Sequence, residues 1–321
     1  MQGLMPQPQE TGCHRLSYYC DEWLKSERIK VKESTFVRYE TIVERHIKPR
    51  LGGQYPLSIR ENLVDSFTQK LLCEDELSAK TVKDILVALR SILKYTARQF
   101  PGIFPEIQFS YPKESKQFIR VLSIEEQVNL CSYLLCNMDL CKFGVMLALY
   151  TGLRIGELCA LQWKDISGKD CLISVNATVQ RIKDIDAGSH SQTKITIGEP
   201  KSDCSTRQIP MTDFIAELCE RMRPENSAAF ILTGTEKCME PRTLQYRLAK
   251  YTKECGLDGV HFHTLRHTFA TRCIEVGFEI KSLSEILGHA STTITLNRYV
   301  HSSMELKRDN MKKLAAASIL K

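Results

Sequence analysis

The stretch CLISVNATVQRIKDIDAGSHSQTKITIGEPKSDCSTRQIP, residues 171–210, decides how this chain is built. Four short runs in it have strand character: Leu172–Val175, Gln180–Ile182, Thr193–Ile197 and Arg207–Ile209. Gly188 and Gly198-Glu199-Pro200 supply turns between them. On both sides the apolar residues return at helical spacing, through Met146–Tyr150 before it and from Asp213 onward after it. A small antiparallel sheet set among helices predicts a mainly α, α+β domain.

Toward the N-terminus, Ser123 with Glu126 three residues on forms a capping box, so this domain opens near 122. Residues 98–121 carry Pro101, Gly102, Pro105 and Pro112 with Lys113, Glu114 and Lys116, and read as an extended linker. Residues 14–97 read as helical almost throughout. Leu16, Tyr19, Cys20, Trp23 and Leu24 mark a first helix. Ser34-Thr35 is placed to cap a second, through Phe36, Tyr39, Ile42 and Val43, that stops before Pro49. A third covers Leu63–Cys73, and a fourth opens at Ser78 and carries Val82, Ile85, Leu86, Leu89, Ile92 and Leu93. The expected organisation is multi-domain: a 1–13 extension, an all-α bundle over 14–97, the linker 98–121, a second domain over 122–304 and a tail over 305–321. That tail bears Met311, Leu314, Ala315 and Ile319 as an apolar stripe.

Composition narrows the class. Of 321 residues, 43% are hydrophobic and 26% charged, which excludes disordered and collagen-like chains. Apolar runs such as Val145–Tyr150 fall far short of the roughly 18 residues that a membrane span needs. Met1–Gly12 shows no export signal, so a cytoplasmic location is expected, on the nucleoid in a prokaryote. The thirteen cysteines are scattered without a CxxC pair, which argues against both a disulfide framework and structural zinc. The net charge of +6 favours an anionic partner only mildly, so an anion site must come from placement.

Placement is visible in several segments. Arg154 lies in Thr151-Gly152-Leu153-Arg154-Ile155-Gly156-Glu157-Leu158, flanked by apolar residues, with Glu157 at i+3 able to orient it. On a helix, His263, Arg266 and His267 share one face at i, i+3, i+4. A helix ends at Gly288 with His289 just beyond, and Tyr299 follows Leu296-Asn297-Arg298. His263 and His267 have zinc-site spacing, but Arg266 would set a permanent positive charge beside the metal and no HExxH glutamate is present. Two guanidiniums suit a phosphate better: they clamp its oxygens and stabilise a pentacoordinate transition state. Histidines and a lysine move protons. A tyrosine hydroxyl is a fitting nucleophile, because a phosphotyrosyl ester keeps the bond energy for reversal.

The ordered set Arg154, Lys201, His263-x-x-Arg266, His289 and Tyr299 resembles the tyrosine recombinase (phage integrase) family. The surrounding text agrees: TGLRIGEL, PKSDCSTRQIPM, HTLRHTFATRCIEVG and EILGHASTTITLNRYVH. The likeness covers about residues 14–310 and is strongest across 145–301. It implies a helical, SAM-like core-binding domain and a catalytic domain that grip duplex DNA in a C-shaped clamp. It further implies four protomers that exchange strands through a Holliday junction. By this resemblance Arg154 and Arg266 bind the scissile phosphate, with Glu157 as the buttress of Arg154. His263 and His289 hydrogen-bond the phosphate, and Lys201 protonates the leaving 5′ oxygen, with Lys194 as a nearby rival. Tyr299 attacks to give a 3′-phosphotyrosyl link. No metal or other cofactor is implied. The 305–321 tail would be the helix donated to the next protomer of a homo-tetramer.

For DNA contact, Lys80 and Lys83 at a helix start and Arg38 are phosphate candidates. Arg242, Gln245 and Arg247 begin another helix able to reach a groove. The expected function is integrase or excisionase activity of a mobile element's site-specific recombinase, with accessory DNA-bending or excision factors as compatible partners and no membrane. The alternatives are a type IB-like topoisomerase and a non-catalytic DNA-binding protein on the same scaffold.

Overall fold

The computed structural model describes residues 14–104, 106–114, 119–184, 193–199, 203–299, Arg308 and Met311. It divides into two compact units, one of Met1–Gln117 with Ile182–Gln192, the other of Phe118–Arg181 with Thr193–Lys321.

In the first unit, α1 (Leu16–Arg28) buries Leu16, Tyr19, Cys20, Trp23 and Leu24, the face that their spacing selects. Helix α2 (Glu33–Ile42) starts ahead of the expected cap: Lys32 takes the N-cap conformation, and Ser34 and Thr35 lie inside the first turn. Glu33 there sets a carboxylate at the positive helix end. The chain then does not stop before Pro49. It continues through a π-helical turn, Val43–Ile47, into α3 (Lys48–Leu51). Pro49 sits in the first turn of α3, and the wider turn ahead of it, which sends the Lys48 N–H to the Val43 carbonyl, carries the helix past the proline ring. Helix α4 (Glu61–Cys73) contributes Val64, Phe67 and Leu71 to the core. Helix α5 (Ala79–Gln99) is capped by Ser78, whose Oγ accepts the Thr81 N–H at 3.2 Å, and buries all six of the apolar residues that marked it. Within the span read as a linker, Phe100, Phe104, Ile107, Phe109 and Tyr111 pack, partly buried, against the bundle core.

The second unit opens at the expected capping box. Ser123 Oγ accepts the Glu126 N–H at 3.1 Å, and Glu126 Oε2 accepts the Ser123 N–H at 2.8 Å. Behind it runs α6 (Ile124–Leu135), then α7 (Leu140–Thr151), buried nearly all round and therefore central. Phe143 of α7 stacks on the fully buried Trp163 at 5.6 Å and 10°. After α8 (Ile155–Ala160) come β1 (Ile166–Ser167), β2 (Leu172–Val175), β3 (Thr178–Lys183), β4 (Thr193–Gly198) and β5 (Arg207–Pro210). These sort into two sheets rather than one: an antiparallel β1-β2-β5 sheet and a β3-β4 pair. The register sets Ile166 and Ile209 beside Ile173, and all three are buried. Helices α9 (Asp213–Met222), α10 (Pro241–Glu254), α11 (Phe262–Glu275), α12 (Ile280–Leu287) and α13 (Thr292–Tyr299) complete the unit. Helix α11 packs against α7, while Ala270, Cys273, Leu283, Leu287 and Tyr299 form a small separate cluster joining α11, α12 and α13.

The chain is thus multi-domain and mainly helical with small antiparallel sheets. Among the described residues, no helix is long and apolar enough to cross a membrane. The described cysteines are free thiols, and burial pushes Cys20, Cys219 and Cys273 up to about 12, so they serve as small apolar groups.

Candidate active site

Two helices stop on glycines, and the carbonyls they leave open hold the arginines. Helix α7 ends at Gly152, which is left-handed at φ +66°. A Cβ there would lie 2.6 Å from Phe269 Cδ1, so both the backbone and the packing demand glycine. Helix α12 ends likewise at Gly288, φ +62°. Arg266 spans the two ends, donating from Nη1 to the Gly152 carbonyl at 2.7 Å and from Nη2 to the Leu287 carbonyl at 2.5 Å. Arg154 Nη2 reaches the Gly288 carbonyl at 2.9 Å, and Arg207 Nε the Ile286 carbonyl at 2.5 Å. Three guanidiniums from distant segments therefore meet at the negative end of α12, satisfying carbonyls that a helix end leaves unpaired.

One carboxylate ties two of them, Arg154 and Arg207, together. Glu157, 3% exposed, accepts from the Arg154 backbone N–H at 2.9 Å and from Arg154 Nη1 at 2.7 Å. From the other side Arg207 grips it with both terminal nitrogens, at 3.1 and 2.9 Å. Burial pushes the Glu157 carboxyl up, but the Arg207 hydrogen bond and charge, with Arg154, outweigh it and hold the group below the usual range. Arg207 is nearly as buried as its partner, its side chain 6% exposed, whereas Arg154 keeps a third of its side chain open. Burial and the nearby Arg154 lower the Arg266 guanidinium to about 9, so it stays charged at neutral pH.

Around this cationic floor lie three imidazoles and a phenol. His263 and His267 of α11 have ring centroids 6.3 Å apart. His289 follows the end of α12, and its Nδ1 meets Thr295 Oγ1 at 2.8 Å. Its ring lies parallel to that of Tyr299, 6.4 Å between centroids. Tyr299 ends α13 only 6% exposed, with its hydroxyl 2.7 Å from His267 Nδ1. Burial raises the Tyr299 pKa, with Arg266 and Arg298 opposing, so the hydroxyl is protonated at neutral pH. Burial, then the surrounding arginines, lowers His289 to about 4, and burial with Arg298, His263 and Arg266 lowers His267 to about 4. His263 moves the same way, for burial first and Arg266 second.

Five expected residues are therefore brought into one site: Arg154, His263, Arg266, His289 and Tyr299, with Glu157 beneath them. Lys201 lies outside the described residues, as does the 305–321 tail apart from Arg308 and Met311. Lys194 is in β4, half-buried. The DNA-contact candidates lie elsewhere. In the first unit, Arg38 pairs with Asp84, Lys83 pairs with Glu114 at 2.9 Å, and Lys80 is exposed on the same α5 face as Lys83 and Asp84. In the second unit, Arg242, Gln245 and Arg247 are exposed near the start of α10, where Arg242 Nε donates to the Tyr246 hydroxyl at 3.0 Å. Two residues went unassigned in the sequence. Arg207 reads as the first residue of a strand, and His267 as the second half of a rejected zinc pair. Among the described residues, no three His, Cys, Asp or Glu side chains gather to hold a metal.

Residues 123–305 match the phage integrase family, and residues 15–72 match the phage integrase N-terminal SAM-like domain. A tyrosine recombinase XerC-like protein of Caldanaerobacter subterraneus subsp. tengcongensis is 26% identical over 85% of this chain and 75% of its own length. The integrase of Staphylococcus phage L54a is 27% identical over 92% and 90%. Among solved structures, the Tn1549 transposon integrase in complex with transposon right end DNA superposes with a TM-score of 0.75 at 23% identity, covering 94% of this chain and 100% of that one.

Replacing Arg207 by Met should leave Glu157 buried with half its partners. Breaking a buried pair in this way costs about 3–5 kcal/mol, to be read as a fall in the urea midpoint. A second outcome concerns pH. His267 and His289 titrate near 4 in the folded chain, below their ordinary 6.5, so the folded state binds fewer protons than the unfolded. Stability from these groups is full above about 6.5 and is lost as pH falls toward 4, so melting temperatures should drop across that window.

Proposed function

We propose that this chain, which belongs to the phage integrase family and is a site-specific tyrosine recombinase, cuts DNA by attack of the Tyr299 hydroxyl on a phosphodiester held between Arg154 and Arg266. One observation carries the assignment: two guanidiniums locked to helix-end carbonyls stand beside a buried tyrosine hydroxyl. Such donors cost no reorganisation when charge develops on the phosphoryl oxygens. Three guanidiniums against one carboxylate leave the site with surplus positive charge for that phosphate.

In this reading His263 and His289, neutral at neutral pH, hydrogen-bond the non-bridging oxygens. Lys201 protonates the leaving 5′ oxygen. The products are a 3′-phosphotyrosyl link and a free 5′ hydroxyl, and a 5′ hydroxyl from a partner strand reverses the step to join new ends. Residues 14–97 and 122–304 supply the two halves of the DNA clamp, joined through 98–121. Lys80, Lys83 and Arg38 of the first unit contact the DNA backbone, and Arg242, Gln245 and Arg247 of the second contact the duplex. Four protomers acting through a Holliday junction, linked by their 305–321 tails in a closed ring, complete recombination at the sites of a mobile element.

Two outcomes test this. On a nicked suicide duplex, wild type should accumulate a covalent adduct, Tyr299→Phe none, and Arg266→Ala should cleave about 100- to 1,000-fold more slowly; an adduct with Tyr299→Phe refutes the nucleophile. Deleting 305–321 should leave DNA binding intact in a gel-shift assay and abolish recombination between two sites. A deletion that still recombines refutes the exchange role, and rapid supercoil relaxation without a partner site would favour the topoisomerase reading.

A further inference from the structure

The hydroxyl of Tyr299 is met by an imidazole outside the five-residue set. His267 Nδ1 lies 2.7 Å from it, within reach for direct proton transfer. His289 is differently engaged: its Nδ1 is taken up by Thr295, and its ring stacks in parallel on the Tyr299 ring instead of meeting the hydroxyl. His263 stands one helical turn before His267 and is exposed. We propose that His267 is the base of the reaction: its Nδ1 accepts the phenolic proton as Tyr299 attacks and returns it when the phosphotyrosyl link is reversed. This rests on Tyr299 being the nucleophile.

The geometry supplies what a base needs. Nδ1 is the acceptor when the neutral ring carries its proton on Nε2. The groups facing His267 are His263 and Arg266 of its own helix and Arg298 and Tyr299 of α13; the cations among them, with half-burial, keep the ring neutral and able to accept. The step balances. The Tyr299 O–H bond breaks and its proton goes to Nδ1, giving an imidazolium. The new O–P bond forms as the P–O5′ bond breaks, and the leaving oxygen takes its proton from the general acid. An imidazolium among arginines is unfavourable until an anionic phosphate enters, so basicity at His267 rises when DNA docks. The division of labour also becomes clear: His263 and His289 stay with the phosphate oxygens while His267 serves the nucleophile.

The test uses the full-length chain on a nicked suicide duplex carrying its own recombination site, with single-turnover adduct formation as the readout. A parallel substrate carries sulfur at the bridging 5′ position, whose leaving group needs no proton. His267→Ala should bind DNA as wild type does yet cleave about 100-fold more slowly. The same loss should persist on the sulfur substrate, and added imidazole should restore much of it. His267→Gln keeps a hydrogen bond without a base and guards against misfolding; it should retain the wild-type melting temperature and DNA affinity and be as slow as His267→Ala. Wild-type or faster cleavage by either variant would overturn the proposal, making His267 a mere tether for the hydroxyl. Rescue by the sulfur leaving group, or no rescue by imidazole, would overturn it as well. Tyr299→Phe in the same assay separates the two layers: an adduct there removes the nucleophile reading itself, whatever His267 does.

Discussion

The site is organised by a buried carboxylate that two guanidiniums share. Glu157 is out of water, a costly place for a charge unless it is fully paired. Arg207 satisfies it from the protein side and is itself buried, so this half of the pair is structural. Arg154 satisfies it from the solvent side and keeps part of its fork open. The arrangement turns a loop arginine into a fixed donor: its backbone N–H, one terminal nitrogen and the other terminal nitrogen are held by Glu157, Glu157 again and Gly288. Without Arg207 the carboxylate would be underpaired, and without the carboxylate a buried and a part-exposed cation would face each other.

Helix ends supply the rest of the holding. The segments that carry Arg154, Arg207, Arg266 and His289 are far apart in sequence, and the C-terminus of α12 is where they meet. Both glycines that end α7 and α12 do two jobs, turning the chain into a left-handed conformation and exposing carbonyls to arginine. The modest net charge of the whole chain is no obstacle, because three fixed cations at one point create the local potential that an anion feels.

Much of this was legible in the residues. Helical periodicity identified the α1 and α5 faces, the capping box at Ser123 marked the start of α6, and polar groups inside apolar patterns pointed to Arg154, His263, Arg266 and His289. What escaped follows from how such signals arise. Arg207 sits where a strand begins, and its partner is fifty residues away, so no local spacing announces it. His267 shared a helix face with His263 and suggested a metal, because the hydroxyl that claims it lies 32 residues on in another helix. The division into two sheets is a pairing choice that strand propensity does not encode. The π turn before Pro49 arises from continuing a helix past a ring that a local rule takes as a stop.

Tyr299 does not belong to the large core built on α7. It packs with Ala270, Cys273, Leu283 and Leu287 in a satellite of five buried side chains. Regions with so few buried contacts open at a fraction of the global unfolding free energy, as independent cooperative units. Tyr299 thus belongs to a satellite that also includes the α12 end where Arg154, Arg207 and Arg266 are anchored. A local opening of this satellite would therefore loosen the hydroxyl and the guanidinium anchors as one unit, so the two keep or lose their places together.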